Sequence, residues 1–359
     1  ETNGETVQLT CGWLWNCAGY YDYSRGYRPG FPGQADFAGQ IVDPQFWPED
    51  LDYEGRKVVV IGSGATAVTL VPAMAGVAEH VTMLQRSPTY VLSLPLRDVF
   101  ALTLRKFLPT RTAYFLARWK NIFLYMGIYK VSKWRPAVMK RIVRHGVAKA
   151  LPEGFDIDTH FTPTYDPWDE RLCFVPDNDL FLAIGSGDAS VVTDTIDTFT
   201  EKGIRLASGI ELEADIVVTA TGLVVQPFGG AALTVDGEAV SLPEKLAYKA
   251  MMLSEVPNFA FTIGYTNISW TLKADLTSDY VCRVLDHMKR KGYTKAVAVS
   301  DPNVGRKPFM DLKSGYVLRA LDIAPKQGTE EPWMLKQSYV HDLRRIRRAD
   351  IEDGVLAFT

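Results

Sequence analysis

RKVVVIGSGATAVTLVPAMAG, residues 56 to 76, reads as a strand, a glycine turn and an apolar helix in one run. Val58 to Ile61, led by Lys57, form a continuous apolar stretch, as expected of a parallel strand buried on both faces. Gly62-Ser63-Gly64-Ala65-Thr66-Ala67 then fits G-x-G-x-x-A, the turn that carries a dinucleotide pyrophosphate. Gly62 permits the tight turn, Gly64 lets backbone approach the phosphates, and Ala67 allows close helix packing. The first amides of the helix add unpaired N–H groups and positive potential. The helix is expected to reach Gly76, with a kink at Pro72, which lacks one backbone donor.

The next strand selects the nucleotide. A fold that prefers NAD places Asp or Glu about 20 residues on, against the ribose 2′-hydroxyl. In HVTMLQRSP, residues 80 to 88, that place is held by Gln85-Arg86-Ser87. A carboxylate would repel a 2′-phosphate, whereas a guanidinium pairs with it through two charge-assisted hydrogen bonds. The reading is therefore NADPH, with Arg86 as the principal contact.

Composition narrows the remaining classes. The chain has 359 residues, 47% hydrophobic and 23% charged, the balance of a globular enzyme with room for two domains. A net charge of -3 argues against nucleic acid as the main partner. Cys11, Cys17, Cys173 and Cys282 are scattered, without a C-x-x-C pair or metal-ligand spacing, and read as reduced thiols of a cytosolic protein. The run VQLTCGWLWNCAG, residues 7 to 19, reads as a strand closing on Gly19. The chain opens on Glu1 with no methionine, and the expectation is that further sequence lies upstream.

Three further stretches carry a family resemblance. FAGQIVDPQFW, residues 37 to 47, resembles the Baeyer-Villiger fingerprint F-x-G-x-x-x-H-x-x-x-W through Phe37, Gly39 and Trp47. LEADIVVTATGL, residues 212 to 223, ends in Ala220-Thr221-Gly222, much as the first strand ends in Cys17-Ala18-Gly19. YDPWDERLC (165–173) and GYTNISWTLKAD (264–275) are similar to the ethionamide-activating branch. The chain thus resembles the class B flavin-dependent monooxygenases of the Baeyer-Villiger type.

The resemblance implies an α/β fold with two Rossmann-like dinucleotide domains, the NADPH domain inserted in an FAD domain. Residues 1–36 would end the first FAD segment, 37–53 would be the linker, 54–212 the NADPH domain, and 213–359 the second FAD segment and C-terminal region. It also implies that NADPH reduces FAD. A C4a-(hydro)peroxyflavin would then pass one oxygen of O2 to a ketone, or to a sulfur or nitrogen centre. Arg171 aligns with the family's active-site arginine, and Gly19, Thr221, Gly222, Asn267, Ser269 and Trp270 are flavin- or substrate-facing candidates. Asp43 departs from the family's histidine, implying either altered linker hydrogen bonding and reduced activity or a harmless turn cap. The family's FAD-binding G-x-G-x-x-G has no counterpart in the 36 residues before the linker. Two other readings stand beside the monooxygenase: a catalytically degenerate NADPH-binding remnant, and a pyridine nucleotide-disulfide-type reductase, which would need a redox cysteine pair.

Between about 95 and 152 the pattern turns helical. Residues 101 to 150 hold 12 Lys or Arg and no Asp or Glu, interleaved with aromatics, leaving 27 basic against 42 acidic residues elsewhere. This is expected to be a helical insertion whose aromatics pack inward, with association at an anionic membrane surface kept open.

Overall fold

A computed structural model describes residues 4, 6–170, 172–310 and 312–359. From the N-terminus, β1 (Leu14–Asn16), β2 (Tyr21–Gly26) and β3 (Gln40–Val42) precede the valine strand β4 (Lys57–Ile61). After it come α1 (Ala65–Met74), β5 (His80–Gln85), β6 (Tyr90–Leu94), α2 (Val99–Phe107), α3 (Thr110–Trp134), α4 (Pro136–Ala150) and α5 (Ile157–Phe161). Then follow β7 (Leu172–Pro176), α6 (Asp179–Ser186), β8 (Ala189–Thr193), β9 (Ile196–Thr200), β10 (Gly203–Leu206), β11 (Glu211–Glu213), β12 (Ile216–Val218) and β13 (Leu223–Val225). The chain divides into two compact units. One is Asp22–Val224 with Leu312–Tyr316; the other is Glu1–Tyr21, Val225–Asp311 and Val317–Thr359.

The first unit is built on a five-stranded parallel sheet in the order β3-β12-β4-β5-β8. Successive residues of β4 serve opposite faces, which is why the run is apolar throughout. Val58 and Val60 join the core with Val68, Val71, Leu180 and Phe181 of α1 and α6. Val59 and Ile61 join Phe199, Ile204 and Leu206 of the antiparallel β9-β10-β11 sheet. Each such side chain contributes roughly 1.5–3 kcal/mol by leaving water. Helix α1 continues through Pro72 to Met74, two residues short of Gly76, and Ala75 N–H bonds Val71 O beyond the proline.

The expected domain boundaries do not coincide with these units. Strand β12 is hydrogen-bonded between β3 and β4, with Val218 opposite both Val42 and Val60. Residues 22–53 and 213–224 therefore belong with the nucleotide turn.

In the second unit β1 pairs in parallel with Phe259–Phe261, and α7 (Trp270–Lys291) packs against the helix Tyr339–Arg347. Gly292 ends α7 in the left-handed conformation that favours glycine. The strand expected from Val7 is confined to Leu14–Asn16, and Val7 and Leu9 lie open to solvent.

The insertion is α2, α3 and α4, and its aromatics depart from expectation. Tyr125 and Tyr129 do pack, edge-on against Phe174 and Trp168. Phe107 and Trp134, however, are 79% and 76% exposed, and Tyr114, Phe115 and Phe123 are also exposed. The side chains that α3 buries are mostly small or slender: Ala113, Ala117, Ile122, Met126 and Ser132. Among the described residues no helix is long and apolar enough to cross a membrane.

Asp98 fixes the start of this insertion. It accepts from Ala101 N–H at 3.1 Å as the cap of α2, and from Lys120 Nζ of α3 at 2.7 Å and Asn121 Nδ2 at 3.0 Å. The Lys120 bond is the largest cause holding its carboxyl down at about 2. Asp98→Ala is expected to cost about 1 kcal/mol, discounted for the pair's solvent exposure. Because the folded-state pKa is depressed, this contribution is present above the unfolded value near 4 and disappears as pH falls through about 2. Acid titration of helicity should therefore separate variant from parent at neutral pH and bring them together near pH 2.

Candidate functional site

The nucleotide turn lies where the strand order reverses. From β4 the chain proceeds through α1 to β5 on one side, while β12 and β3 lie on the other, and ligands of such sheets bind at the carboxyl ends of the strands at this point. Gly62 has φ +138°, and a Cβ there would lie 2.3 Å from Ala220 O at the end of β12. The turn closes through Gly62 N–H to Leu84 O at 2.8 Å. Gly64 is different: its backbone is ordinary for any residue, and an added Cβ would meet nothing within 4 Å. That open space lies over the first amides of α1, whose first intrahelical bond is Val68 N–H to Gly64 O. Gly64, Ala65 and Thr66 are exposed, while Ala67 is fully buried against the sheet. The arrangement fits a pyrophosphate.

Ser63 points elsewhere. Its hydroxyl is 2.8 Å from Thr89 Oγ1 and 3.3 Å from Ser87 O, binding the turn to the loop after β5. Thr89 in turn hydrogen-bonds Tyr165, whose hydroxyl burial pushes upward in pKa. Their pairing was not foreseen: Tyr165 opens the stretch YDPWDERLC, but nothing in the sequence joins it to Thr89, which precedes β6, the parallel partner of β7.

Arg86 is exposed at the end of β5 and free to meet a 2′-phosphate, with Ser87 beside it. Glu170 feels its charge: burial is the main influence and raises the carboxyl, while Arg86 draws it down. Gln85 is set beneath the site. It is buried, and its amide donates to His160 O and Thr193 Oγ1, both at 2.8 Å. Its expected contact with the nucleotide is corrected to a supporting role.

Asp43, expected in the chemistry, caps the short turn Pro44–Phe46. One oxygen accepts from Gln45 N–H at 3.0 Å and the other faces Arg28 at 3.2 Å. Thr221 donates to Tyr27 O at 2.7 Å, and Gly222 has φ +110°, so both serve the crossing beside Gly62 in this unit. Arg171 lies outside the described residues. The neighbouring carboxylates are engaged by lysines: Asp166 by Lys140, and Asp169 by Lys133 and Lys313.

The other unit holds the remaining candidates. Gly19 adopts φ +75° after β1 and lines a narrow apolar cleft with Tyr20, Phe228, Phe261 and Ile263. Trp270 opens α7, half-exposed, stacked on Tyr20 at 5.1 Å and pressed against Gly264, where a Cβ would lie 2.0 Å from its ring. Ser269 caps nothing and hydrogen-bonds Thr271. Asn267 is buried, with Nδ2 donating to Gln337 O at 2.9 Å and Oδ1 without a partner among the described residues. A larger cavity of about 380 Å³, between β6, α4 and the start of α6, touches none of these residues.

Fold and turn together define a dinucleotide-binding α/β protein. A family model described as flavin-binding monooxygenase-like matches residues 12–237, and the chain belongs to this family, that of the FAD- and NADPH-dependent monooxygenases. It is 53% identical over 360 residues to the FAD-containing monooxygenase EthA of Mycobacterium tuberculosis, spanning all of this chain and 74% of that protein. With EthA of Mycolicibacterium smegmatis it shares 54% over 362 residues, spanning 73% of that protein. Among solved structures, OTEMO in complex with FAD and NADP superposes with a TM-score of 0.63 at 18% identity, covering 83% of this chain. The open crystal structure of cyclohexanone monooxygenase gives 0.63 at 18% identity, covering 80%. The chain spans 64% of the length of either structure, and these two likenesses speak for the fold.

The two glycines separate folding from binding. Gly62→Ala, which drives a methyl into Ala220 O at a positive φ, should destabilise the protein by about 2–4 kcal/mol. Gly64→Ala should leave the melting temperature unchanged within a degree or two and weaken NADPH at least about tenfold by filling the phosphate's place. Thermal melts beside nucleotide titrations check both.

Proposed function

We propose that this chain takes part in inserting one oxygen atom of O2 into a ketone, or adding it to a sulfur or nitrogen centre, with electrons from NADPH. The observation that carries the reading is the glycine turn at the β4–β12 switch, with α1 amides open on one side and Arg86 exposed at the end of β5. The unit Asp22–Val224 is assigned to NADPH: the turn holds the pyrophosphate, Arg86 the 2′-phosphate, and Ser63, Thr89 and Tyr165 the loop between. The other unit is assigned to FAD, which supplies the oxygen-activating chemistry when bound. There the Asn267 Oδ1 acceptor and the α7 amides are suited to a polar ring edge, with Trp270 and Gly19 beside it. Arg171 keeps the role the resemblance gives it, steadying negative charge with a cation that cannot lose its proton. EthA, by its name an FAD-containing monooxygenase, favours sulfur-bearing compounds among the substrates to be tried, as the resemblance to the ethionamide-activating branch suggests.

The test supplies FAD, NADPH and 18O-labelled O2 with a panel of a ketone, a thioether and a thioamide. One labelled oxygen in a product is expected. NADPH oxidation yielding only hydrogen peroxide would overturn oxygen transfer. Arg86→Ala should raise the KM for NADPH about 10- to 100-fold and leave that for NADH nearly unchanged, and equal losses would remove Arg86 from the 2′-phosphate.

The insertion supports a location as well. Its exposed aromatics, with 12 basic and no acidic residues over 101–150, suit the surface of an anionic bilayer, the aromatics entering the headgroup region and the cations facing phosphate. The protein should co-sediment with vesicles containing phosphatidylglycerol and not with neutral phosphatidylcholine. Phe107→Ser with Trp134→Ser should reduce binding several-fold, and 0.5 M salt should weaken it.

A further inference from the structure

Lys273 is wholly buried in the first turn of α7, three residues after Trp270. Its Nζ meets Asp342 Oδ2 at 2.8 Å, and the same oxygen accepts from the Tyr265 hydroxyl at 2.8 Å. Burial pushes the lysine pKa down, and the carboxylate opposes this. The other Asp342 oxygen is 3.4 Å from His341 Nδ1, and His341 Nε2 is 2.9 Å from Glu331 Oε1. Glu331 is in turn held by Lys336 at 2.8 Å and Arg345 at 2.7 Å. A second clamp lies alongside: Gln337 Oε1 accepts from Thr266 N–H at 3.0 Å, and Gln337 O accepts from Asn267 Nδ2 at 2.9 Å. The segment from Tyr265 to Lys273 is thus tied at both ends to residues 331–345.

Stability alone does not require such an arrangement. An apolar pair of similar volume is often as stable as a buried ion pair or more so, whereas one charge left behind is strongly destabilising. What the pair does provide is direction, because the ion pair and the tyrosine hydroxyl share one carboxylate oxygen and admit few alternative packings. The segment so held carries Asn267 Oδ1, buried and without a hydrogen-bond partner among the described residues.

We propose that Lys273 and Asp342 are a positioning pair that locks Tyr265–Trp270 so that Asn267 Oδ1 and the first amides of α7 are preset for the imide edge of the flavin. The inference rests on the assignment of FAD to this unit. A flavin imide presents one N–H donor flanked by two carbonyl acceptors, which answers an orphan acceptor beside helix amides. Neither Lys273 nor Asp342 needs to touch the flavin; they act through the loop between them.

The test compares the whole chain with Lys273→Met and with Lys273→Met/Asp342→Leu, reading melting temperature, hydrogen–deuterium exchange and FAD affinity. Lys273→Met should lower the melting temperature by about 10 °C, because Asp342 remains buried and unpaired. The double variant should recover it, yet residues 266–272 should exchange about tenfold faster and FAD should bind about tenfold more weakly. Should Lys273→Met not fold, Asp342→Asn, which keeps an acceptor for Tyr265, carries the same exchange readout. Wild-type exchange over 266–272 in the double variant would overturn the lock. If the parent chain binds no FAD even with a segment carrying the family's G-x-G-x-x-G supplied upstream, the assignment of that unit fails, while exchange still decides whether the pair holds the loop.

Discussion

The carbonyl oxygen of Ala220 leaves no space for a side chain at position 62. That approach is possible because β12 runs in parallel beside β4, with Val218 opposite Val60, so the two strands end level. Everything at the nucleotide site depends on it. The tight exit from β4 aims α1 back across the sheet, and α1 then exposes its first amides instead of burying them. A residue other than glycine at 62 would have to move β12, and β12 also carries β3 on its far side.

The aromatic fingerprint upstream follows the same logic. Gly39 has no room for a Cβ either, which would lie 2.4 Å from Asp215 O and 2.5 Å from the Phe37 ring. Phe37 is buried edge-on against Phe199, and Trp47 packs against Tyr53. The phenylalanine, the glycine and the closing tryptophan thus fasten β3 to the sheet of the nucleotide unit. Asp43 completes this attachment as a turn cap. Its ring-bearing counterpart in the family could both donate and accept, whereas the carboxylate only accepts, here from Gln45 N–H and Arg28.

The local elements around the nucleotide turn were legible because each is written in a short contiguous stretch. The strand 57–61, the turn and α1 appear where the glycine pattern puts them. What depends on distant pairing was not legible. No periodicity could place β12 between β3 and β4, so the boundary expected at 212 falls inside a sheet. Gln85 looked like a ligand contact from its position after the strand, but the even spacing of buried β5 residues turns it under the sheet, toward His160 and Thr193. The Ser63–Thr89–Tyr165 chain and the Lys273–Asp342 pair join residues 26 to 76 positions apart, and single residues of common type carry no mark of such partners.

Helix α3 inverts the usual arrangement of an amphipathic helix, and this bears on why the insertion exists. A helix that packs to stabilise a domain turns its largest apolar side chains inward. Here the inward stripe includes Ala113, Ala117 and Ser132, while Tyr114, Phe115, Phe123 and Trp134 face out. The same face is also held by Ile122, Met126, Tyr125 and Tyr129, so only part of the helix's apolar bulk is turned inward. The rest is left on the solvent side among lysines and arginines.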